Sequence, residues 1–98
     1  MCSWCWGYRP VSDRLFSKLP DQVELVKVLG GLAPDSDIEM PVEMQKKISS
    51  TWTKIHEMLG TEFNFDFWQH CEPRRSTYPA CRAVLAADKQ EKYNEMTD

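Results

Sequence analysis

A Cys-x-x-Cys motif, formed by Cys2 and Cys5, stands at the start of the chain and constrains the structure around it. Redox motifs of this spacing lie at the beginning of a helix, where unpaired backbone N–H groups and the helix dipole stabilise a thiolate. The motif therefore predicts a helix directly after the thiols. In redox proteins a buried strand usually precedes such a helix, and we expect this chain to lack it, because only Met1 stands before Cys2.

Length and composition limit the classes of protein that the chain can belong to. Its 98 residues predict at most one domain with a modest core, and 42% apolar and 28% charged residues are typical of a globular protein. A net charge of −3 argues against nucleic acid as a partner, because that binding needs a basic surface. The chain has no apolar run of about 18 residues, so we predict no membrane partner. Without a signal peptide, a cytoplasmic location is expected, where thiols stay reduced.

The spacing of apolar residues predicts three helices. They span residues 8–19, 41–59 and 77–94. Pro10 fits the first turn of the first helix, and Gly60 fits a left-handed cap after the second. Ser76 is the expected N-cap of the third helix, with Pro79 in its first turn.

The remaining segments predict one strand and one aromatic loop. Residues 23–29 (VELVKVL) are rich in branched apolar side chains, which is typical of a strand buried on both faces. Residues 61–68 are interpreted as an aromatic loop that runs into a helical turn near residues 65–70. Its aromatic side chains, together with Trp52, are expected to link the helices in the core rather than to bind a peptide. The predicted fold class is therefore mostly α with a minimal β element.

A single strand has no partner for its backbone hydrogen-bonding groups, and each unpaired buried group costs about 1–3 kcal/mol. Residues 61–67 offer only a weak partner for residues 23–29 within the chain. We therefore predict that residues 23–29 pair with the same segment of a second copy, so that the chain forms a homo-oligomer.

The motif also assigns a role to each thiol. Cys2 is the candidate attacking residue, because it lies where the start of a helix lowers the pKa of a thiol. Cys5, about one turn further on, is the candidate resolving residue that attacks a mixed disulfide and releases the substrate. Ser3 and Trp4 lie between the two sulfurs and are expected to tune the redox potential. Trp6 is expected to pack beside the site.

Several segments besides the motif resemble one known family. They are CSWCWG at 2–7, LGGLAPDSD at 29–37, FNFDFW at 63–68 and PRRSTYPACRAV at 73–84. In this order they look like the DsbA family, and more closely like its cytosolic, FrnE-like branch of protein disulfide isomerases. The resemblance runs along almost the whole chain.

The resemblance implies a thioredoxin-like fold interrupted by a helical insertion, and thiol–disulfide exchange at Cys2 and Cys5. Residues 1–37 would be a truncated thioredoxin-like part, and residues 38–98 part of the insertion. Partners would be protein or small-molecule thiols and disulfides, with no cofactor. Family members begin with a strand before the motif and continue into a cis-proline loop that binds substrate. The chain is therefore expected to match the N-terminal half of such a protein.

Three alternatives remain open at this point. The chain could be an inactive, truncated family member that forms a helical oligomer. Cys71 and Cys81 could form a second thiol pair, although two buried cysteines that act as small apolar residues are the simpler interpretation. A zinc module could use the motif cysteines with two further ligands. Those further ligands would come from Cys71, Cys81, His56 and His70.

Overall fold

The computed structural model describes residues 2–97, and these residues form five helices. The helices are α1 (Ser3–Phe16), α2 (Val42–Leu59), α3 (Phe67–His70), α4 (Tyr78–Asp88) and α5 (Tyr93–Thr97). Across residues 2–97 the β pairing consists of one isolated bridge, between Glu39 and Arg74. The described chain is thus mostly helical with almost no strand, as the fold class predicted. None of its helices combines the length and the apolar character needed to cross a bilayer.

Helix α1 begins five residues earlier than predicted. It starts at Ser3, so the Cys-x-x-Cys motif is part of its first turn, and Pro10 lies inside the helix instead of at its start. The prediction took Pro10 as a start signal, whereas a helix interior can hold a proline when other contacts offset the lost hydrogen bond. Val11 and Leu15, two of the apolar residues whose spacing favoured this helix, are about half exposed, and Gly7 is its buried residue.

The strand predicted over residues 23–29 is not formed. The segment has neither helical nor ladder hydrogen bonds, and its apolar side chains face solvent, with Val28 87% exposed. A β-branched composition favours extended backbone, but a strand also needs a neighbour that accepts and donates its hydrogen bonds. Within residues 2–97 no such neighbour lies beside this segment.

Helix α2 confirms its prediction closely. It runs from Val42 to Leu59, and Gly60 follows it with φ of 70°, the left-handed conformation that glycine adopts without steric cost. The Gly60 N–H donates to the carbonyl of His56 at 2.8 Å and closes the last turn. On the predicted inward face, Ile55 is fully buried.

The aromatic residues after α2 pack around one indole, but Phe65 and Phe67 remain exposed, so the predicted aromatic core is formed only in part. Trp52 stacks on Phe63, with ring centroids 5.0 Å apart, and lies 4.8 Å from the Trp68 ring. Phe65 and Phe67 complete the group at 5.7 and 5.9 Å. These five residues are called the Trp52 cluster below. The predicted helical turn is present as α3, which begins at Phe67.

The third predicted helix is shorter than expected. Helix α4 ends at Asp88. Three residues later, Glu91 has a left-handed backbone with φ of 58°, which separates α4 from α5. Pro79 lies in the first turn as predicted, but the N-cap residue is Thr77 rather than Ser76. The Thr77 hydroxyl accepts from the N–H of Ala33 at 2.9 Å, and the Ser76 hydroxyl is buried without a hydrogen-bond partner.

The chain forms two compact units that interleave along the sequence. Unit 1 comprises Met1–Val26 and Met40–Pro73, and unit 2 comprises Lys27–Glu39 and Arg74–Asp98. In unit 2, Arg82 forms a two-pronged ion pair with Asp35 at 2.9 and 3.0 Å. These units are not a test of the predicted division into a thioredoxin-like part at residues 1–37 and an insertion at residues 38–98. That division stays a prediction.

Candidate functional site

Cys2 occupies the N-cap position of α1. Its backbone is extended, with φ of −93° and ψ of 122°, and its carbonyl accepts the first helical hydrogen bond from the Trp6 N–H at 3.1 Å. In this position a side chain lies beside the unpaired N–H groups of the second and third helical residues, which here are Trp4 and Cys5. The Cys2 side chain thus lies at the helix start, although it forms no standard N-cap hydrogen bond.

The pKa values of the two thiols are shifted in opposite directions. The Cys5 thiol donates to the Cys2 sulfur and is the main cause that lowers the pKa of Cys2, with further help from the backbone N–H groups of Cys5 and Trp4. Those N–H contacts are looser than a standard N-cap hydrogen bond, so the thiol donor matters most. The same hydrogen bond raises the pKa of Cys5. Both thiols are free and exposed, and Cys2 is the one whose thiolate form is favoured.

Two indole groups tie the first turn of α1 to the rest of unit 1. The Trp52 Nε1–H donates to the Ser3 hydroxyl oxygen at 2.7 Å, across 49 positions of sequence. The Trp6 Nε1–H donates to the carbonyl of Glu62 at 3.2 Å. Ser3 and Trp6 were predicted to flank the site, whereas the role of Trp52 was not predicted, because no local pattern indicates a contact of that sequence separation.

Gly7 lets α1 approach α2 closely. A Cβ atom at this position would lie 2.9 Å from Cγ2 of Ile55 and 3.1 Å from Cδ1 of Leu59, closer than carbon atoms pack. Ile55 is fully buried and cannot move easily. The glycine that follows the motif therefore has a packing role in addition to its place beside the thiols.

A row of apolar side chains runs along α1 from the thiol motif and is partly exposed. Trp4 is 46% exposed, and Tyr8, Val11 and Leu15 follow it at helical spacing with similar exposure. Together these four residues form one stripe of the helix, called the α1 stripe below. The guanidinium of Arg9 lies 5.8 Å from the Trp6 ring centre, beside this stripe.

The other candidate residues do not converge on one site. Cys71 is exposed in unit 1, Cys81 is half-buried in unit 2, and both are free thiols, so the second pair stays a prediction. The Nδ1 atom of His56 lies 2.9 Å from the carbonyl oxygen of Thr61, just beyond the end of α2. Among residues 2–97 no three cysteine, histidine or carboxylate side chains come together around a point that a metal ion could occupy. The zinc alternative therefore has no support in this structure.

Comparison with known proteins gives one informative match. No protein-family model matches the chain, and no curated protein matches it. Among solved structures, the chain is similar to a protein from Nitrosomonas europaea described as a "putative protein disulfide isomerase". The two share 26% sequence identity with a TM-score of 0.75 over 99% of this chain. The structural likeness therefore extends over almost the whole chain.

The chain spans 46% of the length of that neighbour. The fold of the described residues thus corresponds to about half of a protein of the disulfide isomerase class. At this general level, the fold is similar to that of a protein described as a "putative protein disulfide isomerase".

Proposed function

We propose that the chain carries the thiol site of a DsbA-like thiol–disulfide oxidoreductase, with Cys2 attacking and Cys5 resolving. The observation that carries the proposal is the N-cap position of Cys2, where the Cys5 thiol and the start of α1 lower the pKa of its sulfur. A lower pKa raises the thiolate fraction near neutral pH, and the thiolate is the nucleophile. The structural likeness to the Nitrosomonas protein supports the same class of activity.

The site accounts for each step of the exchange. The Cys2 thiolate attacks one sulfur of a substrate disulfide, forms a mixed disulfide, and displaces the other substrate sulfur as a thiolate. Cys5 then loses its proton to solvent and attacks the Cys2 sulfur, forming the Cys2–Cys5 disulfide and releasing the second substrate thiolate. The substrate gains two electrons, and the motif loses two. Attack by a substrate thiol on the mixed disulfide instead gives isomerisation without net redox change.

Substitution of each cysteine in turn tests this assignment. Cys5→Ser is expected to accumulate a mixed disulfide with a model disulfide substrate, because the attacking thiol remains and the resolving thiol is gone. Cys2→Ser is expected to form none at position 5 on the same timescale. Non-reducing mass spectrometry measures both products. Equal trapping by the two variants, or trapping by neither, would contradict the proposal.

The finer parts of the proposal rest on the sequence. The segments at 29–37, 63–68 and 73–84 favour the cytosolic FrnE-like branch, and a cytoplasmic location belongs to the same proposal. The partners would be thiols and disulfides of proteins or small molecules. Association of the chain with a second copy is also proposed, and it is supported by the exposed apolar side chains of residues 23–28. An inactive helical oligomer is the competing function, and the trapping experiment separates the two.

A further inference from the structure

The first turn of α1 needs an anchor if it is to serve as a thiol site. The first N–H groups of a helix have no intrahelical partner, and helix ends fray. The three largest contributions that lower the pKa of Cys2 come from this turn, namely the Cys5 thiol and the N–H groups of Cys5 and Trp4. If the turn opened, all of them would be lost together.

The hydrogen bond from Trp52 to Ser3 supplies such an anchor. At 2.7 Å it is short, and it fixes the first helical residue, the one between Cys2 and Trp4. The donor is itself held in place, because the Trp52 ring stacks on Phe63 and packs against Trp68. By comparison, the bond from Trp6 to the Glu62 carbonyl is longer, at 3.2 Å, and lies at an exposed position.

We propose that Trp52 is a positioning residue for the thiol site, acting through the Ser3 hydroxyl to hold the first turn of α1 in the geometry that thiol–disulfide exchange needs. This inference rests on the proposed function and assigns to the Trp52 cluster a second role besides core packing. Trp52 touches neither sulfur. It acts by keeping the Cys5 thiol and the backbone N–H groups directed at the Cys2 sulfur.

The test compares the labelling of two cysteines within one molecule. The protein is treated briefly with iodoacetamide at pH 7, and mass spectrometry gives the ratio of labelled Cys2 to labelled Cys71, which is an exposed thiol of the same unit. Ser3→Ala removes the acceptor without touching the aromatic rings, and Trp52→Phe removes the donor while keeping a ring. Each is expected to lower the ratio about threefold, because the thiolate fraction of Cys2 falls. The higher nucleophilicity of the remaining thiolate offsets only part of that fall.

Three further variants separate positioning from simple packing. The double variant Ser3→Ala/Trp52→Phe should lower the ratio no further than either single variant, because both remove the same bond. Ser3→Thr keeps the hydroxyl and should keep the ratio of the unaltered protein. Phe63→Leu disturbs the Trp52 cluster but keeps the bond, and should also leave the ratio unchanged. Circular dichroism checks that each variant is folded.

The outcomes distinguish this inference from the proposed function. A ratio near one in the unaltered protein would contradict the proposed function itself. A high ratio that Ser3→Ala leaves unchanged would overturn the positioning role alone. A fall in Phe63→Leu as large as that in Trp52→Phe would show that packing, not the hydrogen bond, supports the site, and would overturn the inference equally.

Discussion

At the scale of single residues, the reactivity of the site depends on which thiol donates to the other. Cys2 and Cys5 are chemically identical, and only their places in the first turn of α1 separate their pKa values. The Cys2 sulfur accepts a hydrogen bond from the Cys5 thiol, which lowers the pKa of Cys2 and raises that of Cys5. The proposed division into an attacking and a resolving thiol follows from this difference in pKa.

Removal of the donor tests this account directly. In Cys5→Ala the main cause of the low pKa of Cys2 is gone, so its labelling midpoint should move upward toward the ordinary thiol value of about 8.5. The sign follows because a lost donor destabilises the thiolate, which then forms only at higher pH. The pH dependence of Cys2 alkylation measures the midpoint. Cys71→Ala, which removes an exposed thiol elsewhere in unit 1, is the matched control and should leave it unchanged. An unchanged midpoint in Cys5→Ala would assign the shift to the backbone N–H groups instead.

At the scale of elements, the contact between α1 and α2 positions the motif. Gly7 lies one turn after the N-cap region and rests against Ile55, the fully buried residue of α2. The same pair of helices carries the bond from Trp52 to Ser3. Close approach at Gly7 and anchoring at Ser3 therefore act on the same first two turns of α1.

Gly7→Ala should destabilise the protein. Alanine favours a helix over glycine by about 0.5–1 kcal/mol, but a Cβ 2.9 Å from Ile55 overpacks the contact, which costs about 1–3 kcal/mol. Overpacking is the larger effect because Ile55 is fully buried, so we expect Tm to fall by about 5 °C. Thermal unfolding followed by circular dichroism measures this. Gly30→Ala is the matched control, since a Cβ there meets no atom within 4 Å, and it should leave Tm nearly unchanged. A higher Tm for Gly7→Ala would contradict this prediction. It would mean that α1 can shift away from α2 without losing stability.

Elements with local signals could be predicted from the sequence, and those that need a distant partner could not. The repeat of apolar residues in α2 and the cap at Gly60 are both local, and both are confirmed. Pro10 misplaced the start of α1, because its tolerance inside the helix depends on contacts outside it. Residues 23–29 have the composition of a strand but no neighbour to pair with. The thiols of the candidate site were found from their spacing, whereas Trp52 was not, since its contact with Ser3 spans 49 positions.

At the scale of the whole molecule, few apolar side chains of the described residues are buried. The buried apolar residues among them are Ala33, Ile55, Val84 and Ala87. The α1 stripe and the side chains of residues 23–28 remain exposed. Apolar surface of this kind is usually covered by further polypeptide, and the proposed association with a second copy of the chain would cover it.

A matched pair of lysine substitutions tests whether residues 23–29 form that contact. Val28 and Leu32 are exposed to nearly the same degree, 87% and 83%, and both belong to unit 2, but only Val28 lies in the predicted pairing segment. Size-exclusion chromatography with light scattering should show an oligomer for the unaltered chain. Val28→Lys should shift its mass toward that of the monomer, because like charges meet across a symmetric contact and the apolar burial is lost. Leu32→Lys should keep the oligomer. If the unaltered chain is a monomer, or if both variants dissociate equally, residues 23–29 do not form the contact between copies.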